Sequence, residues 1–112
     1  MNLAWINCMN NEWCSFLEVN LNHNHFDNMI GVYIIWSGDV IVRIGSGEIK
    51  SRIYDHRNNP EITNYHNLKV TWAEVNQYQM HGVEAYLANT LNPQVGERFP
   101  DTAPIEVNLP IW

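Results

Sequence analysis

Residues 31–45 read Gly31-Val32-Tyr33-Ile34-Ile35-Trp36-Ser37-Gly38-Asp39-Val40-Ile41-Val42-Arg43-Ile44-Gly45. Two runs of β-branched and aromatic residues flank three turn formers, which is the sequence form of a β-hairpin. Beyond Gly45, Ser46 offers an N-cap with Glu48 in the first turn. Ile49 and Ile53 then share a face until Pro60 forbids continuation, so a helix of about three turns is predicted. Leu68, Val70 and Trp72 alternate with Lys69, Thr71 and Ala73, the pattern of a third strand buried on one face. Asn76 and Gln79 have capping-box spacing ahead of a second helix, in which Val83, Tyr86, Leu87, Thr90 and Leu91 recur at helical intervals before Pro93. The expected fold class is α/β: a small, mainly antiparallel three-stranded sheet flanked by helices.

The 112 residues are 46% apolar, enough for one ordinary core and too few for two. One domain is expected, with a core over 31–93, an N-terminal extension over 1–30 and an irregular wrap over 94–112 that carries Pro100, Pro104 and Pro110. In the extension, Trp5, Trp13, Phe16 and Leu17 suggest a short apolar helix or strand on the core, followed by an Asn-rich loop over 20–28. No basic and apolar leader pattern opens the chain, and no apolar run approaches the roughly 20 residues that span a bilayer. A soluble, cytoplasmic protein with no membrane contact is the expectation. Cys8 and Cys14 match no zinc or redox template, and free thiols in a reducing setting account for them.

A formal net charge of −6 argues against indiscriminate binding of nucleic acid, which needs many Lys and Arg contacts. The charge is uneven, however. Arg43, Lys50, Arg52, Arg57 and Lys69 lie within 27 residues that hold only Glu48, Asp55 and Glu61, so this stretch is +2 and the remainder −8. A polyanion is expected to meet the middle of the chain, with Lys50 and Arg57 among its contacts, while the remainder repels it or docks a basic protein partner.

On a wheel of about 100° per residue, Arg52 and His56 fall one turn apart at the edge of the Ile49/Ile53 stripe. Glu84 falls about 60° from Leu87, on the inward side of its helix. An inward carboxylate needs a partner, and Arg52 or a divalent ion answers that need; a structural Glu–Arg pair is the plainer alternative. Tyr33 is either a core tyrosine with a satisfied hydroxyl or a reactive one. Trp36 and Trp72 read as packing residues. His23, His25 and Asp27 would share one face of a strand and form a weaker metal candidate.

Taken in order, these parts resemble the GIY-YIG nuclease family over about Gly31 to Pro93. Gly31-Val32-Tyr33 stands for the first signature and Arg43-Ile44-Gly45 for the second, and the helix with Arg52 and His56 and the later helix with Glu84 follow in family order. The resemblance implies a metal-dependent endonuclease acting on DNA or RNA. Glu84 would bind Mg²⁺ (or Mn²⁺), Arg52 would neutralise charge on the phosphate, Tyr33 would orient or deprotonate the attacking water, and His56 would assist that transfer. Two departures stand out: Arg43 replaces the second signature tyrosine, and the family's late asparagine is absent near Pro93, so Asn108 is assigned to substrate binding across an insertion. Arg43 and the acidic remainder also motivate an alternative, a nuclease-like module that binds nucleic acid or protein without turnover. The acidic surface suits a single-stranded nucleic acid better than a long duplex.

Overall fold

The computed structural model describes residues 1–96 and 99–112. Four antiparallel strands form one sheet: β1 (Cys14–Ser15), β2 (Ile30–Ser37), β3 (Val40–Glu48) and β4 (Leu68–Glu74), in the order β1-β4-β2-β3. The fourth strand is the departure from the expected three. It is a two-residue element of the N-terminal extension, pairing Cys14 with Val70 and Ser15 with Lys69 on the outer edge of β4.

The sheet is buried on both faces. On one side α1 (Ile49–His56) lays Ile49 and Ile53 against Tyr33, Ile35, Val42, Val70 and Trp72. On the other, α3 (Met80–Leu91) sets Val83 and Leu87 against Val32, Ile34, Ile44 and Ala73. A strand covered on both faces carries a continuous apolar run rather than alternation, which explains β2. The same holds for β4, whose predicted one-sided burial is overturned: Thr71 and Ala73 are fully buried, and the Thr71 hydroxyl donates to Ile6 O (2.9 Å). Trp72 is buried against Phe26, and Trp36 lies in the α3-side core.

The expected hairpin is present, with Gly38 in the left-handed region at its turn (φ +55). Its ladder holds a β-bulge that the sequence does not announce. Ile35 pairs with Arg43 but Trp36 pairs with Ile41, leaving Val42 as the extra residue. A bulge re-aims side chains. Here Val42 joins the α1-side core, and Arg43 stands opposite Ile35 on that same side.

Ser46 is not an N-cap. Strand β3 continues to Glu48, and α1 runs for eight residues, about two turns. Pro60 opens a further short helix, α2 (Pro60–Thr63), where its missing N–H costs nothing and the Asn59 side chain accepts from Glu61 N (3.0 Å). The expected capping box does not form, since the N-cap of α3 is Gln79 and has no side-chain cap. Asn76 instead ties the turn ahead of α3, its Oδ1 accepting from Tyr78 N and Gln79 N (3.0 and 3.1 Å) and its amide donating to Gln79 Oε1 (2.7 Å).

Cys8 and Cys14 form a disulfide, not two free thiols. The bond closes the loop before β1 and fixes the N-terminal strap, whose Ile6 N donates to Trp72 O (3.0 Å). His23, His25 and Asp27 do not share a strand. Asn24–Phe26 is a 3₁₀ turn, and His25 Nε2 accepts from the Trp72 indole (3.0 Å). Among the described residues, no helix is long and apolar enough to cross a membrane.

Candidate functional site

Strand β3 is the open edge of the sheet. Near the hairpin turn, residues 94 and 95 cover that edge, Gln94 N donating to Ile41 O and Val95 N to Val42 O. Further along, Gly45 and Ser46 are left between α1 on one face and α3 on the other. This end of the edge forms an open cleft of about 220 Å³ lined by Tyr33, Arg43, Gly45, Ser46, Arg52, His56, His81 and Glu84. Tyr33, Arg43, Arg52, His56 and Glu84, selected from the sequence, thus meet in one place.

Pairing fixes who faces whom. Tyr33 stands opposite Gly45 and Ile35 opposite Arg43, so tyrosine and arginine project toward α1, which delivers Arg52 and His56. Ser46 stands opposite Val32, on the α3 side, where its hydroxyl donates to Glu84 Oε1 (2.5 Å). Ser46, rather than Arg52, is therefore the hydrogen-bond partner of Glu84.

Three glycines clear space for these side chains. A Cβ on Gly45 would lie 2.5 Å from Tyr33 Cζ, one on Gly47 2.7 Å from Arg52 Nε, and one on Gly96 3.0 Å from Arg43 Cζ. Gly47 and Gly96 also have φ of +130 and +113, which L side chains rarely adopt.

The Tyr33 hydroxyl meets His56 Nε2 at 2.6 Å. Burial lowers the His56 pKa to about 4, helped by the nearby Arg43 and Arg52 charges, so the imidazole is neutral at ordinary pH. Burial also pushes the Tyr33 phenol above its ordinary value, opposed by the Arg43 guanidinium beside it. Glu84, 7% exposed, is raised by burial and held back by the Ser46 hydroxyl, then by His81, Arg43 and Arg52. Arg43 packs over Phe99, with its guanidinium carbon 5.7 Å from the ring centroid, and its Nη1 donates to Val95 O (3.4 Å). Among the described residues its buried Nε has no hydrogen-bond partner.

Glu84 is the carboxylate on this lining that could hold a divalent cation. Glu84 is a buried carboxylate at the cleft, and Mg²⁺ is commonly held by one or two carboxylates plus phosphate oxygens and water rather than by a full protein cage. No group of three or more His, Cys, Asp or Glu arranged for a metal occurs among the described residues.

The three residues assigned to substrate contact lie elsewhere. Lys50 is about 200° from Arg52 around α1 and lines a separate cleft on its far side, together with Arg57. Arg57 is engaged by the N-terminal extension, Nε donating to Phe16 O (2.9 Å) and Nη2 to Val19 O (2.8 Å). Asn108 clips the two chain ends together: its Oδ1 accepts from Leu3 N (2.6 Å) and its Nδ2 donates to Leu3 O (3.0 Å). Ser46 and His81 are the members of the cleft that the sequence pattern did not single out. The signals were there in the i, i+3 spacing of His81 and Glu84, and in Ser46 following Ile44 at strand period.

Against protein-family models, curated proteins and solved structures, the chain has no match.

Proposed function

We propose that this protein is a metal-dependent endonuclease that hydrolyses phosphodiester bonds in DNA or RNA. The observation that carries the reading is the Tyr33–His56 pair at 2.6 Å, with a neutral imidazole, in the same cleft as two guanidiniums and a buried carboxylate.

Phosphodiesters resist attack because they are anionic, so fixed positive charge at the developing oxyanion supplies much of the rate. Arg52 and Arg43 both line the cleft and would receive the phosphate oxygens, and Arg43 offers a permanent charge where the resembled family has a tyrosine. A divalent ion held by Glu84, Mg²⁺ or Mn²⁺, would neutralise further charge there. With His56 in its Nδ1–H tautomer, the Tyr33 hydroxyl donates to Nε2. As water attacks phosphorus, its proton passes to the Tyr33 oxygen while the phenolic proton moves to His56. The phosphorus–oxygen bond to the leaving nucleoside breaks, and that oxygen takes a proton from solvent. The relay leaves Tyr33 protonated throughout, which suits a phenol whose burial disfavours phenolate.

A second reading keeps the cleft and drops the turnover: a module that binds nucleic acid through Arg43 and Arg52. Arg43 favours it, since a guanidinium in place of the resembled family's second tyrosine can meet a phosphate but cannot act as a base at ordinary pH. Incubation of labelled single-stranded and duplex DNA and RNA with Mg²⁺, Mn²⁺ or EDTA separates the two. Metal-dependent products are expected; metal-independent binding without products would leave the module.

A further inference from the structure

His81 lines the cleft beside Glu84. The same histidine lines a second groove of about 460 Å³, bounded on one side by Gln77, Tyr78 and Gly82 and on the other by residues 100–103. Both walls are built. Tyr78 is 88% exposed, an unusual position for so large a ring, and it rides on a turn whose backbone is pinned by Asn76. The opposite wall is drawn tight onto α3 because position 82 is glycine. A Cβ there would meet Ile105 Cδ1 at 2.7 Å and Ala103 O at 3.0 Å, and Ile105 N donates to Gly82 O (2.9 Å). The groove therefore has two walls, with an exposed aromatic ring (Tyr78), a carboxylate (Asp101) and a hydroxyl (Thr102) on its lining, and it shares His81 with the cleft.

We propose that this groove is a nucleobase subsite that receives the nucleotide next to the scissile phosphate. The proposal rests on the endonuclease reading for the position of that phosphate. A base stacks on Tyr78, and His81 stands between the base and the reacting phosphate. A base inside a two-walled slot has lost its pairing partner, so the substrate is unpaired at that position: a single strand, a frayed end or an extruded nucleotide. Asp101 accepts hydrogen bonds and donates none when ionised, which selects bases that present an amino group. Cytosine, with its N4 donors, fits; thymine, with a carbonyl in that place, does not.

The test is an NMR titration of the ¹⁵N-labelled full chain with dCMP, dTMP and inorganic phosphate. It reads the amides of Tyr78, Gly82, Thr102 and Ala103 and is independent of turnover. The expectation is saturable shifts at these positions with dCMP, binding about tenfold weaker with dTMP, and no shift there with phosphate alone. Tyr78→Ala weakens dCMP at least about fivefold, Tyr78→Phe stays within about twofold, and Asp101→Asn brings dCMP and dTMP to near equality. Tyr78 is exposed, so its loss leaves the core intact. Shifts confined to the reaction cleft, equal binding of dCMP and dTMP by the unaltered chain, or indifference to Tyr78→Ala would each overturn the subsite. Absence of cleavage with dCMP still in the groove would overturn the nuclease reading and leave the subsite standing.

Discussion

Gly45→Ala is the smallest change that tests how the cleft is built. The new methyl would lie 2.5 Å from Tyr33 Cζ and 3.0 Å from Cε1, whereas ordinary carbon contacts begin near 3.4 Å, so the ring must retreat by about 1 Å. Tyr33 is 1% exposed and packs in the α1-side core, so the ring can shift only by leaving its present contacts. Moving it stretches the 2.6 Å contact with His56 beyond hydrogen-bond range. Overpacking costs about 1–3 kcal/mol and an unsatisfied buried hydroxyl about 1–3 more, so a loss of about 2–6 kcal/mol is expected. That is a large part of a typical total of about 5–15 kcal/mol. Gly38→Ala is the control. It has open space around it and only the left-handed backbone to strain, for about 1–2 kcal/mol. Urea unfolding of both variants measures the difference. A Gly45→Ala loss at or below that of Gly38→Ala would mean that Tyr33 does not lie over the glycine, and the placement of the phenol would have to be abandoned.

Four further outcomes are expected. The His56 ring titrates with a midpoint near pH 4 when followed by NMR, and Arg43→Leu moves that midpoint up; a midpoint near 6.5 would remove the neutral base from the mechanism. Because the folded pKa lies below the unfolded value, the unfolded chain binds the proton more readily. The contribution of neutral His56 to stability is thus complete above about pH 6.5 and is lost as pH falls toward 4, which urea midpoints across that window will register. Reduction of Cys8–Cys14 frees a six-residue separation and lowers stability by about 2 kcal/mol on chain-entropy grounds, read as a drop in Tm with dithiothreitol. Asn108→Ala unties Leu3 and costs about 1–3 kcal/mol in urea unfolding while leaving cleavage unchanged; a selective loss of cleavage would restore a substrate role.

The parts of this fold that were legible in the sequence are those written in short-range pattern. The hairpin, α3, the apolar face of the shorter α1 and the inward turn of Glu84 follow from periodicity, and the resemblance supplied the residues that share the cleft. What stayed hidden depends on long-range partners. Arg57 looked like a free cation until the carbonyls of Phe16 and Val19, some forty residues away, were found on its guanidinium. Asn108 reaches across 105 residues to Leu3. The bulge at Val42 leaves no compositional mark, yet it sets where Arg43 points. A six-residue cysteine spacing does not show whether the chain bends back to join the two sulfurs, and β1 exists only because β4 has an edge to offer. His81 was readable, one helical turn before Glu84, but an exposed histidine carries little signal until a cleft is seen beside it.

The measurement that bears most directly on the central claim is cleavage of labelled single-stranded and duplex DNA and RNA in Mg²⁺ or EDTA by the unaltered protein, Glu84→Ala and Arg52→Ala, each shown to be folded. Metal-dependent products from the unaltered protein, reduced by at least about a hundredfold in both variants, are predicted. Normal cleavage by Glu84→Ala in Mg²⁺ would contradict the metal role of that carboxylate, and no products from any substrate would contradict the nuclease itself.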